Sequence, residues 1–589
     1  MSFADLPSFI KALERAKELK RVTVEVDPEL EITEIVTRVV KNEGPALLFE
    51  NVKGSPYPLV INLFGSMRRV EIALGRPPAQ LGQELVRLAH AAQPPGWMKL
   101  WKSRRTLWRV TKMRTSGAWS ADSQTVVEEP NLEKLPILKC WPKDAGRFIT
   151  FGLVLTEHPL TKVRNVGLYR LQMMSAASTG MHWQIQKGGG FHYAEAEKRG
   201  QTLPLAVIIG TDPYLLMAAV APLPEGMDEI AFSGFLRGSP MAMTKSRSIP
   251  LKVPANAEFV LEGQVAPQER AIEGPFGDHF GHYSHAAPFP VFHIRKLTRK
   301  AKPIFLATVV GKPPQEDRYL GDAMQEVMGP LIRLVRPEVH ELWAYYEAGF
   351  HNLLVVGVHQ RYGKEAIKTA LGLLGEGQLS LTKCLVLVDS QVNVRDFHAV
   401  LQAIHHNFDP AEDFILLPGT ALDTLDFTSY TMNLGSKMIL DATRKPNSRS
   451  PRKFVLTERG LHALKEKDHR ITGWRLWDET LLVVQVKAEG RKVLETLVHE
   501  AALEGVKIVA VVSQDVDLED RVSMMWGLFT RFDCARDIIF TGTHLVGPVV
   551  RYTGCLGIDA TWKPGYPDPL EMPEEIREKV NTRWASYGL

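Results

Sequence analysis

Cysteine is scarce: four residues in 589, at Cys140, Cys384, Cys534 and Cys555, with no CxxC pair among them. Spacing that wide argues against a structural zinc site or a disulfide framework. It fits a reducing, cytoplasmic compartment. Long apolar runs are also missing. None reaches the roughly 18 residues that a bilayer span requires. The opening Met1-Ser-Phe-Ala-Asp5 lacks a basic segment followed by an apolar one, so no signal peptide is expected. There is almost no excess charge of one sign, since 71 Lys and Arg against 67 Asp and Glu leave only +4. That balance gives no electrostatic footprint for nucleic acid. What is present, 45% hydrophobic and 23% charged residues, is the mixture of a folded globular protein. The length suits two or three domains.

Apolar residues at helical spacing (Phe9, Ile10, Leu13, Ala16, Leu19) predict an amphipathic helix over 6–20. Val22–Val26 alternates as a strand, Glu31–Val40 reads as a second helix, and Pro45–Gly54 as a buried strand ending in a turn. Residues 150–310 are rich in Gly and Pro, with strands expected at Leu205–Ile209, Glu258–Gly263 and Phe305–Val310. This is the pattern of a small barrel with function on its loops. The last part repeats itself. Asn352-Leu-Leu-Val-Val-Gly-Val358 is echoed by Thr480-Leu-Leu-Val-Val-Gln-Val486, Asn407–Asp413 by Arg531–Asp537, and Asp441-Ala-Thr443 by Asp559-Ala-Thr561. Order and spacing are both kept, so two similar β-α-β units are expected. Between them, Arg444–Lys453 reads as an exposed linker.

Three segments carry chemistry. Asn165-Val-Gly-Leu-Tyr-Arg-Leu-Gln172 is a strand in which Gly167 permits close backbone approach and Arg170 offers a fork for carboxylate or phosphate. Glu273-Gly-Pro-Phe-Gly-Asp278 sets two carboxylates around a turn, which suits proton transfer. Pro224-Glu-Gly-Met-Asp-Glu229, with Lys245 downstream, supplies hard oxygen donors for a divalent metal or, equally, the acidic start of a helix. Taken singly, the first two read more simply as an ordinary surface strand and a solvated hairpin loop. His279, His282 and His285 do not share a helical face and have no evident fourth ligand, so a metal site there is not expected. Gly188-Gly-Gly190 lacks the rest of a nucleotide fingerprint.

Together these segments resemble the UbiD family of decarboxylases. The resemblance runs from about residue 6 to about 448 and includes Gly44–Gly54, Asn62-Leu-Phe-Gly-Ser66 and Gly435-Ser-Lys-Met-Ile-Leu-Asp-Ala-Thr443. It implies an α+β and α/β chain: an N-terminal α/β region (1–120), a split β-barrel that binds flavin (121–320), then a connecting helix and α/β oligomerisation domain (321–448). A second α/β unit (454–589) would serve assembly. It implies prenylated flavin mononucleotide (prFMN) as cofactor, with manganese and potassium at its phosphate and a flavin prenyltransferase as its supplier. Asn165, Gln186 and Glu229 would hold the metal. Those three with Gly167, Arg170 and Lys437 would hold the cofactor, and Arg170, Glu273 and Asp278 would be catalytic. Gln186 stands where many members have a histidine, and His182 is the alternative ligand. Cys555 stands opposite Lys437 in the second repeat.

The chemistry agrees with the resemblance. Losing carbon dioxide from an sp² carbon leaves a carbanion that no side chain can stabilise, so a cofactor must act as electron sink. The chain must then deliver one proton. Asp278 is the expected donor, provided that burial or a neighbour raises its pKa. By analogy with the family, the substrate is an aromatic or α,β-unsaturated acid, such as a polyprenyl-hydroxybenzoate quinone precursor. Two alternatives are the reverse reaction, carboxylation of a phenol or arene, and a non-catalytic cofactor scaffold. A homo-oligomer, dimer or hexamer, is expected. Residues 97–114 hold seven basic residues and no acid, with Trp97, Trp101 and Trp108 on one helical face near Leu100. They could meet an anionic membrane, although tryptophans packed on the protein itself are the simpler account.

Overall fold

Asp5 caps the first helix, α1 (Leu6–Arg15), by accepting from the Ser8 N–H at 3.0 Å. The helix ends short of residue 20 because Lys17 takes a left-handed φ of 60° and Glu18 N–H returns to the Leu13 carbonyl. The chain therefore enters β1 (Leu19–Val22) early. The strand expected at Val22–Val26 lies three residues upstream, because pairing with β2 (Ala46–Phe49) sets the register from Leu19↔Ala46 to Val22↔Phe49. Val26 makes only an isolated bridge to Val52. Helix α2 (Glu31–Lys41) falls where periodicity places it. Strands β1, β2, β3 (Leu59–Ile61) and a late strand at Phe305–Leu306 form one sheet. The strand expected to run to Val310 pairs only over Phe305↔Leu59 and Leu306↔Val60. It belongs to this N-terminal sheet, whose short β3 ends the pairing.

The computed structural model describes residues 3–92, 98, 101, 103–184, 187–224, 226–445 and 456–589. Its contacts divide the chain into two units, Met1–Leu331 with Pro569–Leu589, and Ile332–Asp568. In the first unit six strands close an antiparallel barrel: β4 (Phe148–Glu157), β5 (Arg164–Ser175), β6 (Ser178–Gly180), β7 (Leu203–Ile209), β8 (Phe259–Glu273) and β9 (Ala287–Arg299). The order β8-β7-β4-β5-β6-β9 returns to β8 by a direct β8–β9 pairing. Closure leaves no open edge. Fully buried residues from several strands, among them Phe151, Leu153, Leu171, Val207, Leu261 and Phe292, form its core. Two helices bear on the site, α3 (Gly188–Lys198) and α4 (Glu229–Arg237). A longer helix, α5 (Glu316–Ile332), runs to the end of the unit.

In the second unit the sequence repeat becomes a structural one. Val339–Ala344, Leu353–Val358, Cys384–Asp389, Phe414–Ala421 and Leu434–Asp441 form one five-stranded sheet; Ile471–Trp477, Leu481–Val486, Ile508–Ser513, Ile538–Val546 and Val549–Ala560 form another. Both have the strand order 1-2-3-5-4. Residues from both repeats, including Phe397, Phe414, Trp526 and Phe532, share one core. Each repeat closes on a lysine. Lys445 donates to the Asp441 carbonyl at 2.6 Å and pairs with Asp413, while Lys563 donates to the Asp559 carbonyl at 2.8 Å and pairs with Asp537. Lys445 thus completes the first repeat rather than opening the linker. Among the described residues no helix is long and apolar enough to cross a membrane.

The last helix, α6 (Glu574–Arg583), returns to the first unit. There Glu31, 1% exposed, accepts from Tyr587 Oη at 2.7 Å and pairs with Lys579 at 2.9 Å and with Arg583. Replacing Lys579 and Arg583 together by Met should leave that carboxylate without a cation and lower the stability of the first unit by about 2–4 kcal/mol. Adding Glu31→Gln to the double variant should recover part of the loss. Thermal melts of the three proteins check this, and an unchanged double variant would contradict it.

Candidate active site

Arg170 sits on β5 with its side chain 7% exposed. A guanidinium taken out of water must spend its N–H groups on acceptors, and here each arm has one. Nε donates to Glu273 Oε1 at 3.1 Å, Nη1 to Asp278 Oδ2 at 2.5 Å, and Nη2 to Ser284 Oγ at 3.0 Å. Its face lies 4.8 Å from the Phe276 ring. Glu273 ends β8 and Asp278 follows after the Gly-Pro-Phe-Gly turn, so the closed barrel brings together residues more than 100 positions apart.

The loop carrying Asp278 is held through its backbone. Gly274 N–H donates to Gln172 Oε1 and Gly277 N–H to Asp144 Oδ1, at 2.8 and 2.7 Å. Gly274 has φ +90°, and a Cβ on Gly277 would come within 2.2 Å of Trp141. Neither position tolerates a side chain. Asp144 also accepts the N–H groups of Cys140 and Trp141. Burial pushes its pKa up to about 7 despite those donors.

The electrostatics correct one expectation. Burial pushes Asp278 up, but the hydrogen bond from His279 and the charge of Arg170 together outweigh it and hold the carboxyl well below the usual range. Burial of Glu273 is likewise outweighed, by the hydrogen bond from His182 and the charge of Arg170. Neither acid of the pair has a raised pKa in the ligand-free chain.

His182 is 4% exposed. Its Nδ1 lies 2.8 Å from Glu273 Oε1 and its ring is 4.2 Å from that of Phe289. Of the three histidines downstream, His279 binds Asp278 and His282 Nδ1 meets the Phe280 carbonyl. Among the described residues no group of three His, Cys, Asp or Glu side chains forms a metal site.

A second cluster fits a phosphorylated cofactor. Asp228 caps α4, so the acidic segment is a helix start, and its first residue, Glu229, turns to β5. Glu229 accepts from Asn165 Nδ2 at 2.9 Å and Val166 N–H at 2.8 Å. Burial pushes it up to about 7. Asn165 Oδ1 is buried without a hydrogen-bond partner, and so is the indole donor Trp183 Nε1. Those two orphans offer an oxygen ligand to a cation and a hydrogen bond to a phosphate. A Cβ on Gly188, at the start of α3, would come within 2.5 Å of Asn165, and one on Gly167 within 2.6 Å of Tyr169. Gln186 and Glu225 lie outside the described residues. Lys245 is exposed at the end of its strand. Lys437, in the second unit, donates to the carbonyls of Ser380 and Thr382 at 2.7 and 3.0 Å, and burial pushes it down to about 8. The strand registers place Met438 against Cys384 and Leu556 against Ile508, which confirms Cys555 as the counterpart of Lys437.

Sequence reasoning missed Asp144, Gln172 and Ser284, and weighed His182 only as a metal ligand. Asp144 lies 133 positions from Gly277, and no local pattern marks such a pairing.

The pH dependence of stability should follow from Arg170. Glu273 and Asp278 titrate below their unfolded values, so the stability they contribute is present above about pH 4 and is lost as pH falls through the folded values. Arg170→Ala removes one charge that depresses them but leaves the hydrogen bonds from His279 and His182, so both folded values rise toward the unfolded ones. The variant should lose about 3–5 kcal/mol at neutral pH, and its deficit against wild type should narrow as pH falls below about 4. Melting curves from neutral pH down through that value test it, and a deficit that does not narrow would contradict it.

Three family models match the chain: the 3-octaprenyl-4-hydroxybenzoate carboxy-lyase N-terminal domain over residues 10–89, the Rift-related domain over 114–313, and the C-terminal domain over 318–442 and 475–560. A Chlamydia pneumoniae protein named as a subunit of 4-hydroxybenzoate decarboxylase is 38% identical over 589 residues, covering 100% of this chain and 98% of that one. The vanillic acid decarboxylase of Sedimentibacter hydroxybenzoicus in closed form superposes with a TM-score of 0.68 at 27% identity, over 79% of this chain and 99% of that one. An evolved dimeric form of the UbiD-class enzyme HmfF from Pelotomaculum thermopropionicum, in complex with prFMN, gives 0.62 at 25% identity, over 79% and 100%. The chain therefore belongs to the UbiD family of carboxy-lyases and carries its N-terminal, core and C-terminal domains.

Proposed function

We propose that this protein uses prFMN to decarboxylate an aromatic acid. The observation that carries the reading is the buried Arg170–Glu273–Asp278 set. When bound, prFMN supplies the electron sink. Asn165, Glu229 and Gln186 would hold its phosphate through manganese, a set of oxygen donors that a hard cation accepts.

The chain's own residues move the proton. A substrate carboxylate is anionic and competes for the Arg170 guanidinium. Weakening the Arg170 pairing and adding a negative charge both raise Asp278, which then takes up a proton and can deliver it to the carbon that loses carbon dioxide. Glu273, tied to His182 as well as Arg170, keeps its charge. A relative named for 4-hydroxybenzoate and a structural neighbour named for vanillic acid support an aromatic acid. A quinone precursor fits that class.

Asp278→Asn removes the proton donor and one of the two charges paired with Arg170, and keeps an acceptor oxygen for Nη1. With enzyme made alongside a flavin prenyltransferase, the variant should keep flavin absorbance and lose about 10²- to 10⁴-fold in carbon dioxide release from aromatic acids. Wild-type turnover would refute the assignment.

A peripheral membrane contact is a second proposal. Trp101 and Trp108 are 65% and 54% exposed. Arg104 and Lys112 stand over them at 5.0 and 4.5 Å. Trp97, Lys99, Leu100 and Lys102 lie outside the described residues. Interfacial tryptophans amid arginine and lysine suit an anionic bilayer. The protein should co-sediment with phosphatidylserine-containing vesicles at low salt and be released as salt rises. No binding at low salt would end the idea.

A further inference from the structure

His182 is held in one tautomer by its neighbour. Glu273 is kept as a carboxylate and can only accept, so the nitrogen 2.8 Å from it, Nδ1, must carry the hydrogen. Burial and the charge of Arg170 lower the His182 pKa, which keeps the ring neutral. Nε2 is then a bare acceptor, and it is buried with no hydrogen-bond partner. An acceptor left unmade in the interior costs about 1–3 kcal/mol, so a group absent from the bare chain has to donate to it. A substrate carboxylate cannot, having no proton to give; it belongs with Arg170. The Phe289 ring, 4.2 Å from the imidazole, adds an aromatic wall beside the acceptor.

We infer that His182 sets substrate specificity: Nε2 accepts a hydrogen bond from a hydroxyl on the ring of an aromatic acid, and Glu273 fixes the tautomer that makes this possible. The inference rests on the decarboxylase reading for the identity of the ligand, but it concerns recognition, so it can be tested without turnover. Enzyme loaded with unprenylated FMN is titrated calorimetrically with 3- and 4-hydroxybenzoate, with their methyl ethers and with benzoate. Wild type should bind at least one hydroxylated acid about 10- to 100-fold more tightly than its ether and than benzoate, the worth of satisfying one buried acceptor. His182→Phe keeps the ring on Phe289 and removes the acceptor, and should bring the ratios within about threefold. The same ratios in kcat/KM should appear in the prFMN-loaded enzyme.

Equal binding of acid, ether and benzoate by wild type would mean that water or the cofactor serves Nε2, and would overturn the inference without any variant. Failure to bind any of the acids would overturn it too. If His182→Phe slows all acids alike and leaves the wild-type ratios intact, His182 only positions Glu273 and the specificity role is wrong. Selective binding without carbon dioxide release would refute the decarboxylase reading and leave this one standing.

Discussion

A charged guanidinium inside a barrel is tolerable only while its N–H groups are spent and its charge is matched. At Arg170 that requirement reaches well beyond the pair of acids. Two carboxylates and a hydroxyl must converge on one side chain from β8 and the loop after it. The loop must then approach so closely that Gly277 admits no side chain, and its amides need acceptors in Gln172 and Asp144. Asp144, with no cation bonded to it among the described residues, is held in place by the three backbone N–H groups it receives. Replacing a buried ion pair by apolar residues is often neutral or stabilising, so stability alone gives little reason to keep this arrangement. Under the proposed function, proton delivery to an anionic substrate supplies that reason.

The atoms left without partners mark where the bare chain is incomplete. Asn165 Oδ1, Trp183 Nε1, His182 Nε2 and Glu273 Oε2 are all buried, and all belong to β5, to the segment after β6 or to the end of β8. Folded proteins leave few such groups. Several in one region offer a ligand both acceptors and a donor.

Duplication in the second unit separates what both copies carry from what only one has. The lysine that closes each repeat, Lys445 or Lys563, is kept with its aspartate partners and its carbonyl acceptors. The lysine at the matching position of the last strand survives only once, as Lys437. Its counterpart Cys555 is buried and its thiol meets the Lys507 carbonyl at 3.5 Å.

Local patterns in the sequence determined a good deal. Helical periodicity gave α2 within a residue and the start of α1, and the apolar echoes at Leu353–Val358 and Leu481–Val486 announced two equivalent sheets. Period and echo are short-range signals, because they depend on side-chain spacing and on turn chemistry. The resemblance to the UbiD family, not a local pattern, is what joined Arg170, Glu273 and Asp278. Tertiary structure decided the rest. The β1 register came from β2, and the short last strand of the N-terminal sheet from the three residues that β3 offers. Asp144, Gln172 and Ser284 meet partners 133, 102 and 114 positions away, separations that no local pattern announces. Above all, the charge state of Asp278 and the tautomer of His182 were invisible in the sequence. Both depend on which groups stand within hydrogen-bonding distance once water is excluded, and that is settled only when the barrel closes.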